Sequence, residues 1–196
     1  MNVRVFDIRD NITKLGPGVR FVIWTQGCPR RCKGCMSPNS QSLDGGYLID
    51  VDSLVEQVKK SGRTELTISG GEPFIQAAAL TEMIRKLRET IDLGVIVYTG
   101  YTIEEINSFA DSIYRDFLSQ CDLVIDGEYI EALNDGKNLR GSSNQRAIPI
   151  TDRYVDLLKD FGKKPTEVEI FCGEEKICMV GVPSREIFDK FKNIFN

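Results

Sequence analysis

The feature that most restricts the fold is a repeated alternation of short apolar runs with amphipathic stretches, each run ending at a loop. The runs VRFVIW at 19–24, ELTIS at 65–69, VIVY at 95–98 and LVID at 123–126 read as buried strands. Between them, 51–60 and 77–90 have helical spacing, with Leu80, Ile84, Leu87 and Ile91 on one face of the second. Asp50 or Asp52 can cap the first helix, and Thr102 with Glu105 reads as a capping box opening another. Strand–helix alternation of this kind selects parallel strands joined by right-handed crossovers, with the helices outside. The fold expected is α/β, an open, partial βα barrel of about six parallel strands, since six units do not close an eightfold barrel. The alternating run 3–8 adds a short edge strand.

After Ile150 the pattern changes, which divides the chain into a core of residues 1–150 and an appendage of 151–196. The appendage reads as a helix at 154–161, a hairpin of 167–171 and 176–182, and a final amphipathic helix at 184–195. The hairpin turns around Gly173, Glu174, Glu175 and Lys176, and the last helix gathers Ile187, Phe188, Phe191 and Ile194 on one side. Cys172 and Cys178 flank the turn and read as packing thiols, with a second metal or redox pair as the alternative.

In open α/β folds ligands sit at the carboxyl ends of the strands. Four unusual loops fall there: the one carrying Cys28, the one from Gly70 to Pro73, the one after Tyr98, and the one at Asp126 and Gly127. The first is the most specific, because Cys28, Cys32 and Cys35 follow a C-x3-C-x2-C spacing. Three soft thiolates on one tight loop leave the fourth corner of a metal site without a local ligand. A cubane iron–sulfur cluster held this way has one iron open to a small molecule. A closed zinc site is the competing reading. The chain contains no histidine, so a fourth zinc ligand would be Cys121, Cys172, Cys178 or a carboxylate. Disulfides are a weaker alternative, because 196 residues that are 41% hydrophobic build a core without staples. Arg30, Arg31 and Lys33 beside the cysteines read as a solvated loop, or as charges that neutralise thiolates or dock an acidic partner. The net charge of −4 offers no field for nucleic acid. No apolar stretch suits a membrane span, and the first ten residues lack a signal-peptide pattern, so a reducing, cytoplasmic location is expected.

The cysteine motif followed by Gly70, Gly71, Glu72 and Pro73 resembles the radical S-adenosylmethionine enzymes, specifically the activases of anaerobic ribonucleotide reductase. The resemblance spans roughly residues 16–146 and includes GPGVR at 16–20, YTGY at 98–101, VIDG at 124–127 and LRGSSNQR at 139–146. It implies a [4Fe–4S] cluster on Cys28, Cys32 and Cys35 whose open iron binds the amino and carboxylate groups of S-adenosylmethionine. Reductive cleavage then yields a 5′-deoxyadenosyl radical that abstracts hydrogen from a glycine of a partner enzyme. The electron would come from a flavodoxin- or ferredoxin-like donor. The resemblance places Gly34, Cys35 and Met36 along the adenine, although Met36 replaces the aromatic residue often found there. Gly70 and Gly71 allow close backbone approach to the ligand, and Glu72 suits its ammonium. Asp126 serves a ribose hydroxyl or an ion, or else caps a helix. Arg140, Asn144 and Arg146, with Gln145, orient an incoming polypeptide backbone, or else belong to a loop held by its own hydrogen bonds. The alternatives in function are epimerisation or crosslinking of a ribosomally made precursor peptide, which the segment after Ile150 favours, and a non-catalytic electron carrier or zinc module. No hydrogen-donating side chain is identified beyond Cys121 as a weak candidate.

Overall fold

Seven strands form one mixed sheet in the computed structural model, which describes residues 1–173 and 177–195. They are β1 (Asn2–Ile12), β2 (Arg20–Thr25), β3 (Tyr47–Asp50), β4 (Glu65–Gly70), β5 (Gly94–Tyr98), β6 (Leu123–Asp126) and β7 (Arg146–Pro149), in the spatial order β3-β1-β2-β4-β5-β6-β7. Parallel pairing joins only β2, β4, β5 and β6. The flanking β1, β3 and β7 are antiparallel to their neighbours. The α/β class and the open sheet hold, but the parallel strands number four rather than six. Parallel neighbours need a crossover of a dozen or more residues; residues 13–19 between β1 and β2 are too few for one. Nor is β1 an edge strand, because β3 pairs with residues 2–5 of it.

Four helices cover one face of the sheet: α1 (Val51–Ser61), α2 (Ala77–Arg88), α3 (Ile103–Ser108) and α4 (Ile113–Leu118). Asp50 caps α1 by accepting from the Ser53 amide at 2.9 Å, and the Thr102–Glu105 capping box opens α3. Alternate strand residues, among them Ile23, Leu66, Ile68, Val95, Val97 and Val124, pack on Leu54, Val58, Leu80, Met83, Ile84 and Leu87 of the helices. Full burial of each such side chain stabilises the fold by roughly 1.5–3 kcal/mol. Among the described residues no helix is long and apolar enough to cross a membrane.

The residues after Ile150 cover the opposite, inner face. The helix expected at 154–161, its type left open, is 3-10 over Asp152–Lys159 with a kink at Tyr154, and it sets Tyr154 on Ile96, Leu123 and Ile125. Three- and four-residue spacings of apolar residues do not separate the two helix types. Strands β8 (Val168–Cys172) and β9 (Ile177–Gly181) form a separate antiparallel pair, and Val180 packs on Ile12, Leu15 and Val22. The hairpin turn expected at 173–176 lies, from Glu174 to Lys176, outside the described residues. Helix α5 (Arg185–Phe195) follows and contains no fully buried residue.

Arg20 fastens this cover to the sheet from below. Its side chain is 0% exposed, and each of its five N–H donors finds an acceptor. Nε donates to Thr67 Oγ1 at 2.5 Å, and Nη1 to the Pro17 carbonyl at 2.9 Å and Glu65 Oε2 at 2.7 Å. Nη2 donates to the Leu66 carbonyl at 2.6 Å and the Tyr154 hydroxyl at 3.3 Å, and Tyr154 in turn donates to Glu65.

Candidate active site

The cysteine loop leaves β2 and is laced to two neighbours through its backbone. Gly27 and Cys28 amides donate to the carbonyls of Ser40 and Gln41 at 2.8 and 3.0 Å. The Gly71 amide donates to the Thr25 carbonyl at 2.7 Å, and the Glu72 amide to the Gly27 carbonyl at 2.8 Å. This lacing explains the glycine pair. Gly70 has φ +100°, and a Cβ there would lie 2.5 Å from the Thr25 backbone; a Cβ on Gly71 would run into the Gly27 carbonyl. The close approach that these glycines permit is therefore, first of all, that of the cysteine loop itself.

Cys28, Cys32, Cys35, Met36, Gly70, Gly71 and Glu72 line a single cavity of about 600 Å³ at the carboxyl ends of β2, β4 and β5. That volume lies within the roughly 300–1,000 Å³ range of small-molecule sites. All three thiols are half-buried and free. Burial pushes the Cys28 thiol up, and burial followed by the nearby Glu128 pushes Cys32 up to about 11. Bound positive charge would draw them to the thiolate. The Ser37 amide donates to Cys35 Sγ at 3.4 Å. Among the described residues no three Cys, Asp or Glu side chains converge tightly enough to hold a single metal ion. Cys121 is buried against the Phe117 carbonyl and, like the exposed Cys172, lies away from the cavity.

Arg30 is not a solvated charge. Its Nη1 lies 3.6 Å from Glu128, and its guanidinium sits over the Tyr101 ring. Arg31 and Lys33 are exposed beside it. Glu72 is 1% exposed. Its Oε1 accepts from the Phe74 amide at 3.0 Å and Thr99 Oγ1 at 2.8 Å, and its Oε2 accepts from the Gly100 amide at 2.8 Å. Burial nevertheless outweighs those bonds and lifts the carboxyl to about 7.

Other residues singled out from the sequence are not brought to the cavity. Gly34, at φ +71°, is held where the Glu131 side chain would block a Cβ. Asp126 is fully buried and accepts from the Ile103 amide at the start of α3 at 2.9 Å. It also takes two bonds from Arg146, from Nε at 3.0 Å and Nη2 at 2.5 Å. Arg146 further pairs with Glu104 at 2.7 Å, and Arg140 pairs with Asp135. Asn144 donates to the Glu128 carbonyl at 2.8 Å. Gln145, which does line the cavity, accepts from the Gly141 amide at 2.7 Å and donates to the Gly127 carbonyl at 2.8 Å. These bonds tie residues 140–146 to Glu104, Asp126, Gly127, Glu128 and Asp135. Sequence reasoning gave no role to the side chain of Tyr98, a residue that lines the cavity and whose buried hydroxyl has no hydrogen-bond partner among the described residues. Its place at the end of a buried strand was the available signal.

Residues 14–148 match the family described as "4Fe-4S single cluster domain". An anaerobic ribonucleoside-triphosphate reductase-activating protein of Vibrio cholerae is 31% identical over 139 residues, covering 66% of this chain and 87% of the relative. A protein of the same name from Enterobacteria phage T4 is 29% identical over 143 residues, covering 70% of this chain and 88% of that one. The pyruvate formate-lyase 1-activating enzyme of Escherichia coli is 28% identical over 144 residues, covering 68% of this chain and 54% of that enzyme. A single-cluster domain on an open βα sheet, with relatives of this kind, defines a radical S-adenosylmethionine enzyme whose cofactors are a [4Fe–4S] cluster and S-adenosylmethionine. Within that class, the chain belongs to the family of anaerobic ribonucleoside-triphosphate reductase-activating proteins, which are glycyl-radical-enzyme activases.

Proposed function

We propose that this chain installs a glycyl radical on an anaerobic ribonucleotide reductase. The observation that carries the reading is the meeting of three free thiols with the Gly70–Gly71–Glu72 loop at one cavity. Cys28, Cys32 and Cys35 would hold the cluster and leave one iron for S-adenosylmethionine. When bound, these groups supply a 5′-deoxyadenosyl radical that takes a hydrogen atom from the polypeptide. Cys35 and Met36 would offer backbone and a polarizable side chain to the adenine. The peptide groups of Gly70 and Gly71 and the carboxylate of Glu72 would meet the methionyl end. Glu72 Oε2 accepts a single bond, from Gly100, so a lone pair remains for an ammonium, and that cation would return the buried carboxyl to its charged form. Asp126, Arg140, Asn144 and Arg146 serve architecture in this account, because their polar groups are already engaged.

The exposed Arg31 and Lys33 beside the cysteines would receive an acidic electron donor of the flavodoxin or ferredoxin kind, in a reducing cytoplasm. The relatives described above are activases, so modification of a precursor peptide is the less favoured reading. The test is anaerobic incubation of the reconstituted protein with S-adenosylmethionine, dithionite and an anaerobic ribonucleotide reductase. A glycyl-radical signal on the reductase, with matching release of 5′-deoxyadenosine, is expected. Cofactor cleavage that leaves the reductase without a radical would show that the substrate is another polypeptide.

A further inference from the structure

Beyond residue 148, where the family match ends, the chain builds a wall of the cofactor cavity from its own C-terminal segment. Every residue from 177 to 183 lines the cavity, and Phe188, Phe191 and Lys192 of α5 join them. A strand that shows its face contributes alternate residues, because successive side chains point to opposite sides. Seven consecutive residues mean that β9 and the two residues after it present backbone edge as well as side chains. The opposite edge of β9 is taken by β8, in register from Val168 opposite Gly181 to Cys172 opposite Ile177. No residue of β8 lines the cavity. Gly181 helps set this asymmetry: at φ +131°, a Cβ there would lie 2.8 Å from the Glu167 carbonyl at the start of β8.

Among the described residues no third strand pairs with β9. In an antiparallel pair every second residue turns its N–H and C=O away from its partner, and on β9 that direction is the cavity. Just past the strand the backbone is already engaged. The Val182 carbonyl accepts from Thr166 and the Pro183 carbonyl from Asn134 at 3.3 Å. The open edge is therefore Ile177–Gly181. Free strand edges recruit extended chains, since buried peptide groups require partners.

We propose that this edge of β9 is the docking strand for the polypeptide substrate. An extended, glycine-bearing segment adds to it as a third strand, held backbone to backbone. The occupant follows from continuity: a segment paired there lies in the same cavity as Cys28, Cys32, Cys35 and the Gly70–Gly71 loop. Pairing through the main chain also fixes the direction of the glycine Cα–H bond, which hydrogen abstraction requires. The inference rests on the polypeptide-substrate reading above.

Residue-resolved hydrogen exchange tests it on the holoenzyme with S-adenosylmethionine, before and after addition of intact anaerobic ribonucleotide reductase. Radical formation on the reductase is followed in the same samples. Cavity-facing amides in 177–181 are expected to slow by about tenfold or more, in an alternating pattern, while those bonded to β8 keep their rates. A glycyl radical formed with no change in β9 exchange overturns the docking strand and leaves the activation reading intact. Absence of both radical and protection overturns both.

Discussion

Arg30 Nη2 donates to Glu105 Oε2 at 2.6 Å, while its guanidinium carbon lies 4.5 Å from the centre of the Tyr101 ring. Glu105 is the residue whose Oε2 also accepts from the Thr102 amide at 2.7 Å in the capping box of α3. One arginine from the cysteine loop thus ties Cys28, Cys32 and Cys35 to the helix that follows β5. The ion pair is partly exposed and contributes roughly 0.2–1 kcal/mol; the ring contact adds about 0.5–1 kcal/mol.

Replacement of Arg30 by Met therefore costs the global fold little but frees the cysteine loop. The reconstituted variant is expected to lose most of its iron on desalting, with a melting temperature within a few degrees of the parent. Iron retention equal to the parent would show that the loop does not depend on this tie.

Glu72 predicts a pH dependence of the cofactor-free protein. Its carboxyl rises from 4.5 to about 7 on folding, because burial disfavours the charged form. The folded chain then binds the proton more tightly than the unfolded chain. This contribution to stability is fully present below about pH 4.5, is lost as pH rises through about 7, and is level above that. The size is on the order of a few kcal/mol. Urea unfolding across this range, with Glu72→Gln as comparison, checks it. The variant flattens the slope and loses about 1–3 kcal/mol, because its amide faces donors from Thr99 or Gly100.

Tyr154 carries the inner cover's hold on Arg20. Tyr154→Phe leaves one Arg20 N–H without its acceptor and is expected to destabilise by about 1–3 kcal/mol. Arg20→Leu strips the charge that Glu65 faces and costs more, roughly 3–5 kcal/mol. Denaturation midpoints at unchanged cooperativity measure both.

Gly71→Ala drives a Cβ into the Gly27 carbonyl and so displaces the start of the cysteine loop. Gly62→Ala is the control: its φ of +69° makes alanine unfavourable by about 1–2 kcal/mol, but nothing lies within 4 Å of the added atom. Iron binding is expected to fall in the first variant and to stay unchanged in the second.

What could be read from the sequence was what local spacing encodes. The helices of the outer layer, the cap at Asp50, the box at Thr102 and the three cysteines all declare themselves within a few residues. Strands β3 and β7 did not, because they are four residues long and no residue in either is fully buried, so they carry no clear apolar alternation. The parallel count failed on the length of the β1–β2 connection, too short for a crossover. Asp126 was readable as a polar residue at a strand end, but its partners Arg146 and Ile103 lie 20 and 23 positions away. The fate of residues 139–146 was equally non-local. That β9 closes the cavity depends on how residues after Ile150 fold back over the inner face, which no short pattern records.

A cluster held by Cys28, Cys32 and Cys35 would leave one iron for an exogenous ligand. The iron Mössbauer spectrum of the anaerobically reconstituted protein, taken with and without S-adenosylmethionine, addresses it most directly. One iron site of the [4Fe–4S] cluster is expected to change its parameters when the cofactor is added, with the remaining sites unaltered. A spectrum of fully thiolate-ligated irons that S-adenosylmethionine leaves untouched would contradict the account.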